Sequence, residues 1–213
     1  MPQAVVSDRP EVLLCLAPFA HPLCNFAIVW EPAGLGLALQ AAEGRPHFCI
    51  YSFERAWMPP TLALAHEMVV MRGLGTPAFE PLAPVQTPRD RLTVTRFMCS
   101  QFFDTQSGEV RERLAEATAR VRDLELFAFG EPRMLAAGMM YEGERAIGLY
   151  NICVDGKNRR RGWGASVVHQ LLSECARRDK PAVLQCSSDL AAWYSKLGFK
   201  STGKLFTWSI PGN

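Results

Sequence analysis

No stretch of this chain approaches about 18 uninterrupted apolar residues, so no membrane-spanning helix is expected. The opening MPQAVVSDRPEVLL lacks a basic region followed by a long apolar run, so no signal peptide is expected either. No two cysteines form a CxxC pair, and their number, seven, is odd. Most of Cys15, Cys24, Cys49, Cys99, Cys153, Cys175 and Cys186 lie in apolar runs such as FCIY and LYNICV. They read as buried thiols in a reducing compartment, which points to the cytoplasm. Charge of one sign is also lacking: 23 Lys and Arg face 21 Asp and Glu, and the net charge of +2 excludes bulk binding of nucleic acid. His21, His47 and His66 are scattered without metal-ligand spacing, so no metal is expected. A P-loop is excluded because no Gly-Lys-Ser/Thr is present.

What is present is an ordinary globular balance: 48% hydrophobic and 21% charged residues over a length of 213. Such a chain buries a substantial core without disulfides or metal. Two segments flank a Pro-rich connection, GTPAFEPLAPVQTPRDR, which holds four prolines and no helical or strand period. The expected organisation is a small α/β segment over 1–75, a linker over 76–91 and a larger domain over 92–213.

In the first segment, strands are expected over 26–30, 47–53 and 67–71, with helices over 33–43 and 61–66. No catalytic constellation appears there. The second segment begins with a helical region over 92–103. The stretch 107–124 predicts an amphipathic helix with Val110, Leu114, Ala117, Val121 and Leu124 on one face. Ser107 is placed to cap it, with Glu109 in its first turn. Strands follow over 124–130, 133–141 and 145–154, the last two joined by a hairpin turn at 142–144. A helix over 162–179 buries Val167, Val168, Leu171, Leu172 and Cys175. Then come a strand (181–187), a short helix (189–198) and a closing strand (204–210). Hairpin strands followed by helix, strand, helix, strand predict an α/β fold around a mixed sheet.

The arginine run Arg159-Arg160-Arg161 enters Gly162-Trp163-Gly164 between a strand and a helix. The first turn of a helix carries unsatisfied N–H groups and the positive end of its dipole. That combination suits phosphate. Gly162 and Gly164 let backbone approach an anion without an obstructing Cβ, and Ala165 continues the small surface. The arginines add charge at the entrance. A dinucleotide fingerprint, GxGxxG, fails at Val167. The other reading of the stretch is a helix start with a solvated basic face.

Arg159 to Gly164 resembles the Q/R-x-x-G-x-G/A signature of the GNAT-type N-acetyltransferases. Downstream, LQCSSDLAAWYSKLGF (184–199) resembles the second signature of that family, a strand and a helix ending in Tyr-x-Lys-x-Gly-Phe. Tyr194, Lys196, Gly198 and Phe199 match position for position. The resemblance covers roughly 92–210. Residues 1–75 look similar to the degenerate N-terminal half of some two-part members.

The resemblance implies a GNAT-type acyl-CoA N-acyltransferase fold, with a mixed, twisted central sheet flanked by helices and a smaller N-terminal α/β segment. It implies that acetyl-CoA is the co-substrate and that no metal takes part. Its pyrophosphate falls on Arg159, Arg160, Arg161, Gly162, Trp163, Gly164 and Ala165. Its pantetheine arm falls on the main chain of Ile152, Cys153 and Val154. Tyr194 maps to the proton donor for the departing thiolate, and a phenol with a pKa near 10 is protonated at neutral pH. Asp189 stands where many members carry Asn, and Trp163 is bulkier than the usual aliphatic residue.

No residue stands out as the general base. Glu142 and Glu144 lie in a turn and read as solvated. Tyr150 and Asn151 are expected to line the acceptor pocket. Cys153 has no His partner and reads as a buried strand residue rather than a nucleophile. The aromatic wall and carboxylate of Phe103 and Asp104 suit a cationic amine. The expected partner is a small-molecule or peptide amine acceptor, with a homodimer left open and no nucleic acid or membrane. The alternative is a non-catalytic acyl-CoA-binding or sensing module that kept the cradle.

Overall fold

The computed structural model describes residues 5–17 and 24–211. The chain divides into two compact units. Unit 1 comprises Met1–Val70, Gln185–Ala191 and Ser201–Asn213, and unit 2 comprises Met71–Leu184 and Ala192–Lys200.

Unit 1 begins with β1 (Val5–Asp8) and β2 (Val12–Leu16), an antiparallel pair. Neither strand was anticipated from sequence. The turn between them closes through reciprocal backbone bonds of Arg9 and Val12, at 3.1 and 3.3 Å. Next, β3 (Asn25–Val29) pairs antiparallel with β2. A 3-10 turn at Pro32–Gly34 leads into α1 (Leu35–Ala42), and β4 (Cys49–Ser52) returns parallel to β3. Alternation along β3 sends Ala27 and Val29 into a core with Ala38 and Ala42 of α1, Val12 and Ile50. The same core takes Trp208, whose indole N–H donates to the buried Ser52 hydroxyl at 2.9 Å. Trp208 belongs to β10 (Phe199–Ser209), which pairs antiparallel with β4.

The stretch 61–66, expected as a short helix, is instead the start of β5 (Ala63–Gly73). Six residues are too few to hold a helix alone, and a strand partner overrides their helical propensity. That partner is β10: Thr202 Oγ1 donates to the Val70 carbonyl at 3.3 Å, Ser209 Oγ to that of Ala63 at 3.4 Å, and Lys204 pairs with Glu67 at 2.5 Å.

In unit 2 the Pro-rich stretch is an extended strap. Ala78 and Phe79 N–H donate to Ser173 Oγ at 3.0 and 3.1 Å, and Leu82 N–H donates to Glu174 at 3.4 Å. Its last residues, expected as linker, open a helix: α2 runs Pro88–Phe102, with Pro88 at a position that needs no N–H. Thr87 caps it, accepting from the Asp90 N–H at 3.1 Å. α3 (Gly108–Ala119) is capped as expected, Ser107 Oγ accepting from Val110 N–H at 3.3 Å. It ends sooner than its apolar spacing suggested. Arg91 donates to the carbonyls of Ala119, Val121 and Leu124 at 2.9, 2.6 and 3.1 Å, which satisfies the chain leaving the helix. Leu114 and Ala115 are buried, whereas Ala117 and Val121 are exposed and Leu124 begins a strand.

Three antiparallel strands follow, β6 (Leu124–Phe129), β7 (Ala136–Glu142) and β8 (Ile147–Val154). Then α4 (Trp163–Arg177) crosses to β9 (Ala182–Cys186), which is parallel to β8. The sheet is therefore mixed. Helix α2 covers one face through Val94 and Met98 on Leu126, Ala137, Met139 and Cys153. On the other face, a Cβ added to Gly138 would lie 3.0 Å from Leu171 of α4. The expected stripe Val167, Val168, Leu171, Leu172 and Cys175 is buried throughout. Both units thus share one order: three antiparallel strands, a helix, and a strand returning parallel to the third.

Candidate functional site

The site begins with an irregularity in β8. Ala137 stands opposite Cys153 and Met139 opposite Tyr150, so Gly138 alone faces both Asn151 and Ile152. The extra residue is a β-bulge. Asn151 absorbs it with φ of 49°, a left-handed conformation that Asn tolerates better than most residues. Pairing with β9 is short: Ile147 opposes Ala182 and Gly148 opposes Val183, and β8 continues to Val154 beyond that ladder. The Asp155 N–H bonds the Leu135 carbonyl at 2.8 Å. Because antiparallel bonds alternate, Val154 and Ile152 turn their main-chain groups away from β7, toward the open side. Cys153, between them, faces the core under α2.

The chain then makes a 3-10 turn at Gly156–Asn158, fixed by Asn158 Nδ2 donating to Asp155 at 2.7 Å. Arg159 folds back. Its Nε donates to the Val154 carbonyl and its Nη2 to Gln101 Oε1, both at 3.3 Å. Arg160 has φ of 62° and Gly162 has φ of 85°. Left-handed residues on either side of Arg161 bend the loop in the manner of anion-binding concavities. Gly162 is the N-cap of α4 and offers no side chain, and the first turn holds no acidic residue. The first helical bond is Ser166 N–H to the Gly162 carbonyl at 3.0 Å. The N–H groups of Trp163, Gly164 and Ala165 precede it and have no helical acceptor. Arg160 and Arg161 are exposed and make no ion pair among the described residues.

The second signature lies on α5 (Ser188–Lys196). Trp193 reaches the loop: a Cβ on Gly164 would sit 3.5 Å from its indole. Tyr194 is buried, its ring 4.7 Å from that of Trp193 and 5.6 Å from that of Phe199. Phe199 is a core residue, as expected. Trp163 is half-buried, and Asp189 is exposed.

Burial pushes the Cys153 thiol up to about 12, against the lowering effect of a backbone bond at Ala137. It is a thiol at neutral pH and not an activated nucleophile. The Tyr150 ring packs across Gly148, where a Cβ would collide with it, and burial raises its phenol. Glu142 is not merely solvated. Hydrogen bonds from Lys180 at 2.6 Å and Arg178 at 3.0 Å hold its carboxyl below the usual range. Glu144 is exposed. Phe103 ends α2 half-buried, and Asp104 is exposed in the turn beyond it. Neither lines either of two cavities between α2 and α3. One of about 580 Å³ lies by Arg91, Glu116 and Arg120, and one of about 270 Å³ by Arg96, Cys99, Arg111 and Glu112.

Sequence reasoning placed the loop, Ile152 and Val154, and Tyr194 in one unit. It missed the bulge, for which an Asn inside an apolar strand was the available signal. It also missed Trp193 at Gly164, for which there was none. His47 and His66 are exposed, and His21 lies outside the described residues. Among the described residues no group of His, Cys, Asp and Glu is placed to hold a metal, and no disulfide joins the cysteines. No described helix is long and apolar enough to cross a membrane.

Comparison with known proteins identifies the architecture. No protein-family model matches the chain, and no curated protein sequence does. Solved structures do. A GCN5-related N-acetyltransferase from Kribbella flavida matches with a TM-score of 0.66 at 13% identity, over 99% of this chain and 91% of that one. A putative GNAT-family acetyltransferase from Novosphingobium aromaticivorans matches with a TM-score of 0.63 at 15% identity, over 95% and 89%. A GCN5-related N-acetyltransferase from Sphaerobacter thermophilus matches with a TM-score of 0.59 at 14% identity, over 93% and 79%. The chain has the GNAT acyltransferase fold over nearly its whole length.

Proposed function

We propose that this protein is an acetyl-CoA-dependent N-acetyltransferase acting on a small-molecule or peptide amine. One observation carries the reading: a bulged strand, freed from its parallel neighbour, runs into a helix start with no capping side chain and left-handed residues at Arg160 and Gly162. The residues fit the co-substrate. A Cβ at Gly162 would meet nothing within 4 Å, so the surface over the helix start is open. The N–H groups of Gly162 to Ala165 and the cations of Arg160 and Arg161 would hold the pyrophosphate. Arg159 serves differently, fixing the loop to Val154 and Gln101. The main chain of Ile152 and Val154 would pair with the pantetheine arm as a missing strand would.

Acetyl-CoA supplies an activated acyl group. The amine attacks the thioester carbonyl directly, and Tyr194 delivers its phenolic proton to the departing thiolate. Cys153 stays protonated and takes no covalent part. A thiol-rich chain of this kind suits the reducing cytoplasm. Unit 1 is a degenerate half. Its order matches unit 2, but β3 and β4 stay paired to Val29 and Ser52, and a Cβ on Gly34 would collide with the Glu11 carbonyl. No opening for a second arm is left between those strands.

Glu142 stands opposite Ile147, away from the bulge, and is engaged by Lys180 and Arg178, so it is not placed to serve as base, which favours a second reading, a non-catalytic acyl-CoA-binding module. Tyr194→Phe separates the two. With acetyl-CoA binding kept, loss of transfer to an amine supports the enzyme. Binding by the unmodified protein without transfer to any amine supports the module.

A further inference from the structure

The smaller cavity between α2 and α3 has an uncompensated charge. It measures about 270 Å³ and is lined by Arg96, Cys99, Ser100, Gly108, Arg111 and Glu112. Arg96 is committed: its Nε donates to both oxygens of Glu112, at 3.0 and 2.9 Å. Arg111 is not. Its guanidinium has no hydrogen-bond or ion-pair partner among the described residues, and the residue is half-buried at the cavity wall. The lining thus holds two cations and one carboxylate, and the carboxylate is engaged by Arg96.

The cavity lies beside the candidate site. Met98, next to Cys99 of its wall, packs in one cluster with Cys153 of β8. Gln101, next to Ser100, accepts from Arg159 of the loop. The volume is below the roughly 300–1,000 Å³ of sites that enclose a whole small molecule. It suits one end of a ligand. A guanidinium without a partner matches a carboxylate, which takes two parallel N–H bonds from its fork.

We propose that this cavity receives the carboxylate of the acceptor at Arg111, so that the acceptor is an amine that also carries a carboxylate, an amino acid or the C-terminal residue of a short peptide. The proposal rests on the acetyltransferase reading and names its substrate class. Arg111 is a binding residue for the acceptor and takes no part in the transfer itself.

The test compares the common amino acids as free acids and as carboxamides, each with acetyl-CoA, by release of CoA thiol. The free acid is expected to exceed its carboxamide in kcat/KM by about 10- to 100-fold, the range of a charge-assisted pair. Arg111→Ala should remove that preference by raising KM for the free acid, with KM for acetyl-CoA unchanged, and Arg111→Lys should restore part of it. Equal use of acid and carboxamide overturns the proposal. So does a preference that survives Arg111→Ala, or a protein that binds acetyl-CoA and acetylates no free acid. Calorimetry with acetyl-CoA on the same samples separates the two failures. Absent binding, or binding with neither acid nor carboxamide acetylated, strikes the acetyltransferase reading, whereas intact binding and transfer with no acid preference strikes this proposal alone.

Discussion

Trp193 stands against the first turn of α4, where a Cβ on Gly164 would lie 3.5 Å from two atoms of its indole and 3.9 Å from Val154 Cγ2. These are ordinary contact distances. The protein's own packing therefore does not demand glycine at 164, where a Cβ would lie in ordinary contact between Trp193 and Val154. Gly162 differs: nothing crowds it, but its φ of 85° is unfavourable for any residue with a Cβ. Gly164→Ala is expected to leave stability within about 0.5 kcal/mol, as other unstrained surface changes do. Gly162→Ala should cost about 1–2 kcal/mol. Urea denaturation of both variants checks the contrast.

Tyr194 is held by rings on two sides, Trp193 and Phe199. Tyr194→Phe keeps both ring contacts and removes only the hydroxyl. Acetyl-CoA affinity should be unchanged, while transfer to an amine falls by about 100- to 10,000-fold, the usual reach of a proton donor. Calorimetry together with a CoA-release assay measures both quantities on one preparation.

The fold was legible where one chemistry dominates. The stripe of α4 and the Ser107 cap follow from spacing alone, and the loop signature from two glycines beside three arginines. It was not legible where partners decide. Leu-Ala-Leu-Ala at 62–65 reads as helix until β10 lies beside it. The helix over 108–119 looks longer because Val121 and Leu124 keep its period, and only the Arg91 guanidinium, 28 residues before Ala119, shows where its carbonyls are satisfied. The bulge at Asn151 depends on register with Gly138; the Asn in an apolar strand marks it, but the pairing that places it is not local.

Buried thiols make stability fall in alkali. Burial pushes Cys153 and Cys175 up to about 12 from an ordinary 9.0. The folded chain therefore holds protons that the unfolded chain has lost. Stability is at its full value below the unfolded pKa and declines as pH rises from about 9 toward about 12. The slope should be about 1.4 kcal/mol per pH unit for each thiol. Denaturation midpoints across that range should decline, and Cys175→Ala should lower the starting stability while flattening the slope.

Arg178 gathers three acids. It donates to Glu125 at 2.6 and 2.7 Å, to Glu142 at 3.0 Å and to the largely buried Glu174 at 3.0 and 3.2 Å. Removing it leaves Glu174 with Arg177 at 3.5 Å as its remaining cation. Arg178→Met should destabilise by about 2 kcal/mol, a charged hydrogen-bond loss in a partly screened setting. Lys180→Ala, which loses a more exposed pair, should cost under about 1 kcal/mol.

The central claim is that the loop from Arg159 to Ala165 holds the pyrophosphate of acetyl-CoA. Calorimetric titration with acetyl-CoA and with CoA tests it most directly, on the unmodified protein and on Gly164→Glu, which adds a carboxylate to the first turn of α4. Micromolar binding that disappears in the variant, with its melting curve preserved, is the expected result. Absence of binding to the unmodified protein, or equal binding by a folded Gly164→Glu, would contradict the account and leave the stretch as a basic helix start.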